Sequence, residues 1–204
     1  IHPFMSDFWN REEVYKYFGV EESYWDEDFE NPEFLRNYIS DKENYRFLID
    51  RFEEKEPDKP IFIFNITMQN HGPYTLDLPS VVKVKLEETY PELEQYLDLI
   101  KITGEETEKL IEYFRNVEEP TIIVFFGDHL PAIGERILKE CEKLWAKEPE
   151  VSSRRVEMQT TINAAGYYIW ANFDFEPGRG EDISINYLQG EILNFAGLKA
   201  PPFI

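Results

Sequence analysis

A layered α/β fold with a mainly parallel sheet is predicted by three features of this 204-residue sequence. Two short, nearly continuous apolar runs, Ile61 to Met68 and Thr121 to Phe126, have the composition of strands buried on both faces. A third run from Tyr167 to Phe173 is rich in the same β-branched and aromatic residues. Segments with helical apolar spacing lie between and after these runs, so strand and helix alternate along the chain.

Residues 11–19 read as a short helix, followed by an acidic, aromatic loop from Glu21 to Glu30. Phe34, Leu35, Tyr38, Ile39, Tyr45, Leu48, Ile49 and Phe52 recur at helical spacing, predicting one helix or two over 33–54, closed by a Pro57 to Pro60 turn. After the first strand comes the polar loop Gln69-Asn70-His71-Gly72-Pro73-Tyr74. Thr89 with Glu92, and Thr103 with Glu106, have capping-box spacing and predict two helices. The second strand stops at Gly127-Asp128-His129-Leu130-Pro131. Ile133, Ile137, Cys141 and Leu144 predict another helix, and a last one runs from about Ser184 to Phe195, with Gly197 as its stop. In parallel α/β sheets ligands sit beyond the carboxyl ends of the strands, so loops 69–74 and 127–131 mark the expected site.

Composition narrows the function classes. Asp and Glu number 41 against 21 Lys and Arg, a formal charge of −20, which repels phosphate backbones and argues against nucleic-acid binding. A hydrophobic fraction of 42% supports a packed core, and no apolar run approaches the roughly 20 residues of a membrane-spanning helix. One cysteine, Cys141, excludes an internal disulfide framework and lies on an apolar helical stripe. The opening Ile1-His2-Pro3, without an initiator Met or signal peptide, reads as cut from a longer chain.

The three histidines carry the chemical signal. Asp128-His129 follows a strand on an irregular turn, where a carboxylate and an imidazole can face one cation; adjacent residues on a strand would point apart. Mixed oxygen and nitrogen ligation suits Mn²⁺ or Zn²⁺, with Mg²⁺ less natural. The alternative is a helix-capping Asp128 beside an uninvolved loop histidine. His71 can protonate a leaving group or hold an anionic oxygen, or be a plain turn residue. His2, Trp9 and Arg11 lie close in sequence, and Arg11 can grip a phosphate or sulfate in bidentate fashion; the competing reading is a core Trp9 and a surface Arg11. Asn65-Ile66-Thr67 matches a glycosylation sequon but falls in a buried strand. No Gly-rich phosphate loop, nucleophile elbow or CxxC pair occurs.

Taken in order, His2 with Phe8-Trp9-Asn10-Arg11 and Val14 to Gly19, Asn70-His71-Gly72-Pro73-Tyr74, Phe126-Gly127-Asp128-His129, Ile169-Trp170-Ala171-Asn172 and the 186–204 tail resemble one family. The chain resembles the carboxyl-terminal portion of the sulfatase-like catalytic domain of lipoteichoic acid synthases and related phosphoglycerol transferases, in the alkaline phosphatase superfamily. The resemblance implies that Asp128 and His129 are metal ligands, with manganese the usual metal, and that His71 lies beside the phosphoryl group. It implies that His2, Trp9 and Arg11 line the head-group pocket. It also implies an anionic glycerophospholipid or polyglycerol-phosphate substrate, and a parent enzyme anchored by upstream transmembrane helices at the extracellular face of the cytoplasmic membrane. Such enzymes move phosphoglycerol through a covalent phospho-threonine. The family supplies that Thr and a Glu metal ligand from before the His2 region, so residues 1–204 correspond to part of one domain. Thr160 and Thr161 follow the Asp-His pair and do not match. The expectation is therefore little transferase activity and weak metal binding for these 204 residues alone. A sulfatase or phosphodiesterase handing the group to water, and a non-catalytic α/β binding domain, are the alternatives.

Overall fold

The computed structural model describes residues 1–74, 90–133 and 164–199, with 137, 139, 140 and 143. The chain divides into two units, Ile1–Leu110 with Pro131–Glu140, and Ile111–Leu130 with Cys141–Ile204.

In the first unit a 3₁₀ turn at Phe8–Asn10 leads into α1, Arg11–Tyr17. Glu12 and Glu13 in its first turn complement the helix dipole and pair with Lys16, at 3.3 and 2.8 Å. All three side chains are exposed, so solvent screens the pairs and they add little to stability. Gly19, at φ 77°, ends the segment in a left-handed conformation that suits a residue without Cβ.

The helix predicted over 33–54 begins late. Residues Phe34–Leu35 (β1) and Tyr38–Ile39 (β2) form a small antiparallel hairpin, with Phe34 opposite Ile39 and Leu35 opposite Tyr38. Apolar residues at i, i+1, i+4 and i+5 satisfy a helix and a two-residue hairpin equally, which is why the spacing misled. The turn places Arg36 at φ 58°, outside the helical region. Helix α2 then runs Asp41–Glu54, started by Ser40, whose Oγ accepts the Glu43 N–H at 3.3 Å. It buries Phe47 against Phe29 and Ile39, with the Phe29 and Phe47 rings stacked at 4.3 Å and Ile1 and Tyr24 packed alongside. Each such buried aromatic contributes about 2–3 kcal/mol.

The predicted strand at 61–68 does not form a ladder. The Ile1 ammonium donates to the Phe64 carbonyl at 2.8 Å, and the Ile66 N–H donates to the Ile1 carbonyl at 3.0 Å. Asn44 Nδ2 donates to the Ile66 carbonyl, and Asn65 Nδ2 to Asn44 Oδ1. Far from being buried on both faces, Ile61, Phe62 and Phe64 are exposed, Phe62 to 87%. Apolar β-rich composition reports a preference for burial; a strand also requires partners along its length.

Helix α3, Pro91–Arg115, is one continuous element where two helices were predicted. Pro91 opens it, as a first turn allows. Thr103 is no N-cap: its hydroxyl donates to Asp41 Oδ2 at 2.6 Å, so tertiary bonding takes up the group that local capping would have used. Residues 91–110 of α3 belong to the first unit and 111–115 to the second.

The second unit holds β3, Ile122–Phe126, and β4, Tyr167–Ala171. They pair antiparallel, Ile122 with Ala171 through Phe126 with Tyr167. Among the described residues the sheet here is this antiparallel pair, and the mainly parallel layering expected from the sequence is not seen; side-chain pattern reports burial but carries no strand direction. The β3 side chains are half-buried, not fully enclosed. Phe125 and Tyr168, directly opposite, stack with rings 5.3 Å apart. Asn172 ties the strand end to the end of α3: its Oδ1 accepts the Thr121 N–H, and its Nδ2 donates to the carbonyls of Phe114, Val117 and Glu119, at 2.8–3.1 Å. Helix α4, Ile185–Phe195, ends as predicted, with Gly197 at φ 66° and the Leu198 N–H donating to the Leu193 carbonyl. Of the helix predicted across 133–144, residues 137, 139, 140 and 143 are helical. Thr89, Cys141, Leu144, Arg154, Arg155, Thr160 and Thr161 lie outside the described residues.

Candidate active site

His2, Arg11 and Trp9 are gathered around the start of the first unit. His2 is 2% exposed, wedged edge-on between the Phe4 and Trp25 rings, with Tyr15 stacked on Trp25. Burial, with the Arg11 guanidinium and the amino terminus adding to it, lowers the His2 imidazole to about 4, so it is neutral near pH 7. His2 Nδ1 and Arg11 Nη1 are both buried without a hydrogen-bond partner among the described residues. Buried donors in that state are costly and are the groups an anionic ligand satisfies. Trp9 and Asn10 occupy the left-handed region, at φ 62° and 53°, and Trp9 is 77% exposed. Consecutive non-glycine residues held there store strain of the kind that collects at ligand sites. A separate pocket of about 710 Å³ has Asp7, Asp26 and Glu27 among its walls and no basic residue, so it does not suit an anion.

His71 stands on the 69–74 loop of the same unit, which side chains distant in sequence hold in place. Arg36 Nη1 donates to the Pro73 carbonyl at 2.9 Å, and Nη2 donates to those of Gln69 and His71 at 2.9 and 2.7 Å. Tyr38 donates its hydroxyl proton to the Gly72 carbonyl at 2.8 Å, and His71 Nδ1 lies 2.8 Å from that carbonyl and 3.2 Å from the Tyr38 oxygen. The Gly72–Pro73 peptide is cis. Tyr74 donates to the Asn70 carbonyl; burial, with Tyr96 adding to it, pushes its phenol up to about 12 and keeps it a donor. Behind the loop, Asp41, Gln69 and Thr103 form a buried network. Thr103 Oγ1 accepts from Gln69 Nε2 and Asn70 Nδ2, while Gln69 Oε1 accepts the Asp41 N–H. Burial raises the Asp41 carboxyl to about 6 against the opposing Thr103 hydrogen bond.

Asp128 and His129 stand in the second unit, just past β3, and both are exposed. Gly127 leaves little room at this strand end, because a Cβ there would meet the Ala165 Cβ at 3.0 Å. Asp128 Oδ1 accepts the His129 N–H at 2.9 Å, while His129 Nε2 lies 3.5 Å from Asp128 Oδ2. His129 Nδ1 is 2.8 Å from the Leu130 carbonyl. A carbonyl only accepts, so Nδ1 carries a proton and Nε2 is the nitrogen turned toward the carboxylate; in the neutral ring Nε2 offers a lone pair there, as metal-ligating imidazoles do. Two donors of this kind fit part of a divalent cation shell. Among the described residues no three or more His, Cys, Asp and Glu side chains are arranged so that they could hold a metal ion.

His2 and Arg11 are thus brought together, His71 is held on a separate loop of the same unit, and Asp128 with His129 form a pair in the other. Sequence reasoning missed Arg36, Tyr38, Asp41, Gln69 and Thr103. Their partners lie roughly 30 or more residues away, and no local spacing marks them.

Residues 1–197 match the model of the Sulfatase family, and the chain belongs to that family. Its fold is that of the Streptococcus pyogenes phosphoglycerol transferase GacH, solved in complex with sn-glycerol-1-phosphate: TM-score 0.74, 24% identity, 99% of this chain and 50% of that one. It is 33% identical to a Rhizobium meliloti (strain 1021) protein named for cyclic beta-1,2-glucan modification, over 66% of this chain and 21% of that protein. Against the lipoteichoic acid synthase of Staphylococcus aureus (strain USA300) identity is 24%, over all of this chain and 31% of the synthase. The chain therefore spans a fifth to a third of the length of these curated relatives. Among the described residues no helix is long and apolar enough to cross a membrane.

Proposed function

We propose that this chain forms the carboxyl-terminal part of a metal-dependent phosphoglycerol transferase domain, acting at the outer face of a cytoplasmic membrane on an anionic glycerophospholipid or polyglycerol phosphate. The carrying observation is that buried His2 and half-buried Arg11, close enough for the guanidinium to act on the imidazole, each keep a buried nitrogen without a partner among the described residues, in a chain that belongs to the Sulfatase family. Phosphoglycerol, rather than sulfate, is favoured by the likeness to lipoteichoic acid synthases and to a transferase that binds sn-glycerol-1-phosphate.

In this reading Arg11 and His2 hold the phosphate and glycerol oxygens, and Trp9 covers the head group. Arg11 brings a fixed charge, while His2, being neutral, donates from one ring nitrogen without adding to it. Asp128 Oδ2 and His129 Nε2 hold a divalent cation, Mn²⁺ best suiting the mixed donors. Such a cation, when bound, neutralises charge on the phosphoryl oxygens and acidifies a coordinated hydroxyl. His71 acts at the departing lipid oxygen through Nε2: protonated there as imidazolium, it gives that proton to the oxygen as the phosphorus–oxygen bond breaks and is left as the neutral Nδ1–H ring. In this reading the nucleophile and the remaining metal ligands are supplied outside residues 1–204. With a net charge of −20, the positive field for the substrate is confined to Arg11 and the metal.

Titrating sn-glycerol-1-phosphate into the chain while following His2 by NMR tests the binding half. A phosphate against the imidazole should raise His2 from about 4 by a unit or more, and Arg11→Ala should abolish the response. No response at saturating ligand would remove the head-group assignment. In the parent enzyme, product analysis separates the alternatives: glycerophosphate on an acceptor marks a transferase, free glycerophosphate a hydrolase.

A further inference from the structure

We infer that Tyr38 and Arg36 are positioning residues that fix the tautomer and direction of His71, so that Nε2 is its reactive atom. The assignment follows from hydrogen-bond capacity. The Gly72 carbonyl only accepts, and it lies 2.8 Å from His71 Nδ1, so Nδ1 must carry the proton of that bond. Tyr38 has one hydroxyl proton, and it goes to the same carbonyl at 2.8 Å. Its oxygen, 3.2 Å from Nδ1, is left only to accept. The Nδ1–H is thus shared between two oxygens, and the neutral ring exposes its Nε2 lone pair.

An unconstrained neutral imidazole favours the opposite tautomer, so the local acceptors decide the outcome. The Tyr38 ring meets the His71 ring edge-on at 5.7 Å and restricts its rotation. Arg36 supplies the backbone half of the device. Its guanidinium spans the carbonyls of residues 69, 71 and 73 and lies over the Tyr38 and Tyr74 rings, at 5.9 and 5.5 Å. That fork holds the Gly72 carbonyl where Nδ1 needs it, and a lysine cannot reproduce it.

The inference about Nε2 reactivity rests on the proposed catalytic role of His71; the tautomer assignment does not. Long-range ¹⁵N–¹H correlation on the ¹⁵N-histidine-labelled chain, in mildly alkaline solution, reads the tautomer directly. His71 should show a pyrrole-type Nδ1 and a pyridine-type Nε2. Tyr38→Phe should move the ring toward a mixture, and Arg36→Lys should do so further. A wild-type Nε2–H tautomer overturns the assignment whatever the variants do, and an unchanged Tyr38→Phe spectrum overturns the role of Tyr38. In the full-length parent, Tyr38→Phe should lower kcat about tenfold with KM little changed. Should the tautomer shift as expected while His71→Ala leaves kcat intact, the catalytic reading of His71 falls and the positioning stands.

Discussion

The loop bearing His71 and the loop bearing Asp128 and His129 look alike in sequence, each a polar stretch after an apolar run, but they are held by different means. The first is clamped by Arg36, Tyr38 and Thr103, residues far along the chain. The second takes its shape at Asp128 and His129 from immediate neighbours, through the His129 N–H to Asp128 and the imidazole to Leu130, and its one bond to a distant residue is the backbone contact of the Gly127 N–H with Gly166 at its base. A group that must point in one direction needs support from the tertiary structure. Under the proposed function, Asp128 and His129 on their exposed turn need only mutual proximity, since binding a cation would itself complete their geometry.

That contrast is open to attack at four positions. The largest effect belongs to Arg36→Ala, which removes three charge-assisted bonds and should cost about 3 kcal/mol in urea unfolding, since part of the fork is exposed. A loss under 1 kcal/mol would mean the first loop is no better clamped than the second.

Asp41, behind the same loop, should make stability depend on pH. Folded, its carboxyl holds a proton up to about pH 6; unfolded, it releases it near 3.8. Its contribution is complete below 3.8 and is lost as pH rises through 6, by up to about 3 kcal/mol at 1.36 per unit. Thermal melts of Asp41→Asn, which keeps an acceptor for Thr103, should lack that decline.

Smaller is Gly127→Ala. The added methyl presses on Ala165, and a loss of about 1 kcal/mol is expected from overpacking at the strand end. The smallest is Asp128→Ala, on an exposed turn, which should alter stability by no more than about 0.5 kcal/mol. Melting scans with Mn²⁺ sharpen this one: the full-length parent should gain stability from the metal, and the Asp128→Ala parent should not. A large intrinsic loss on Asp128→Ala would give the second loop a tertiary role as well.

What was readable in advance follows from the range of each interaction. The last helix, its Gly197 stop and the existence of the strand at 122–126 carry their signals within a few residues, and all three form, though the strand's half-burial and direction were not legible. The hairpin at 34–39 was read as helix because its apolar spacing fits both, and the left-handed Arg36 that decides between them has no sequence mark. Thr103 had the right neighbours for a helix cap, yet its hydroxyl bonds to Asp41, 62 residues away.

By itself the sequence determined the chemistry on offer: three histidines, an Asp-His pair after a strand, an arginine near a tryptophan, and an acidic balance of charge that disfavours nucleic acid. Those are properties of side-chain identity and short spacing, which survive in an unfolded chain. Only the tertiary structure decided that β3 and β4 run antiparallel, that His2 is buried and neutral, and which nitrogen of His71 faces outward. Direction, desolvation and tautomer are each set by what lies across space from a group, and that is determined only when distant parts of the chain meet.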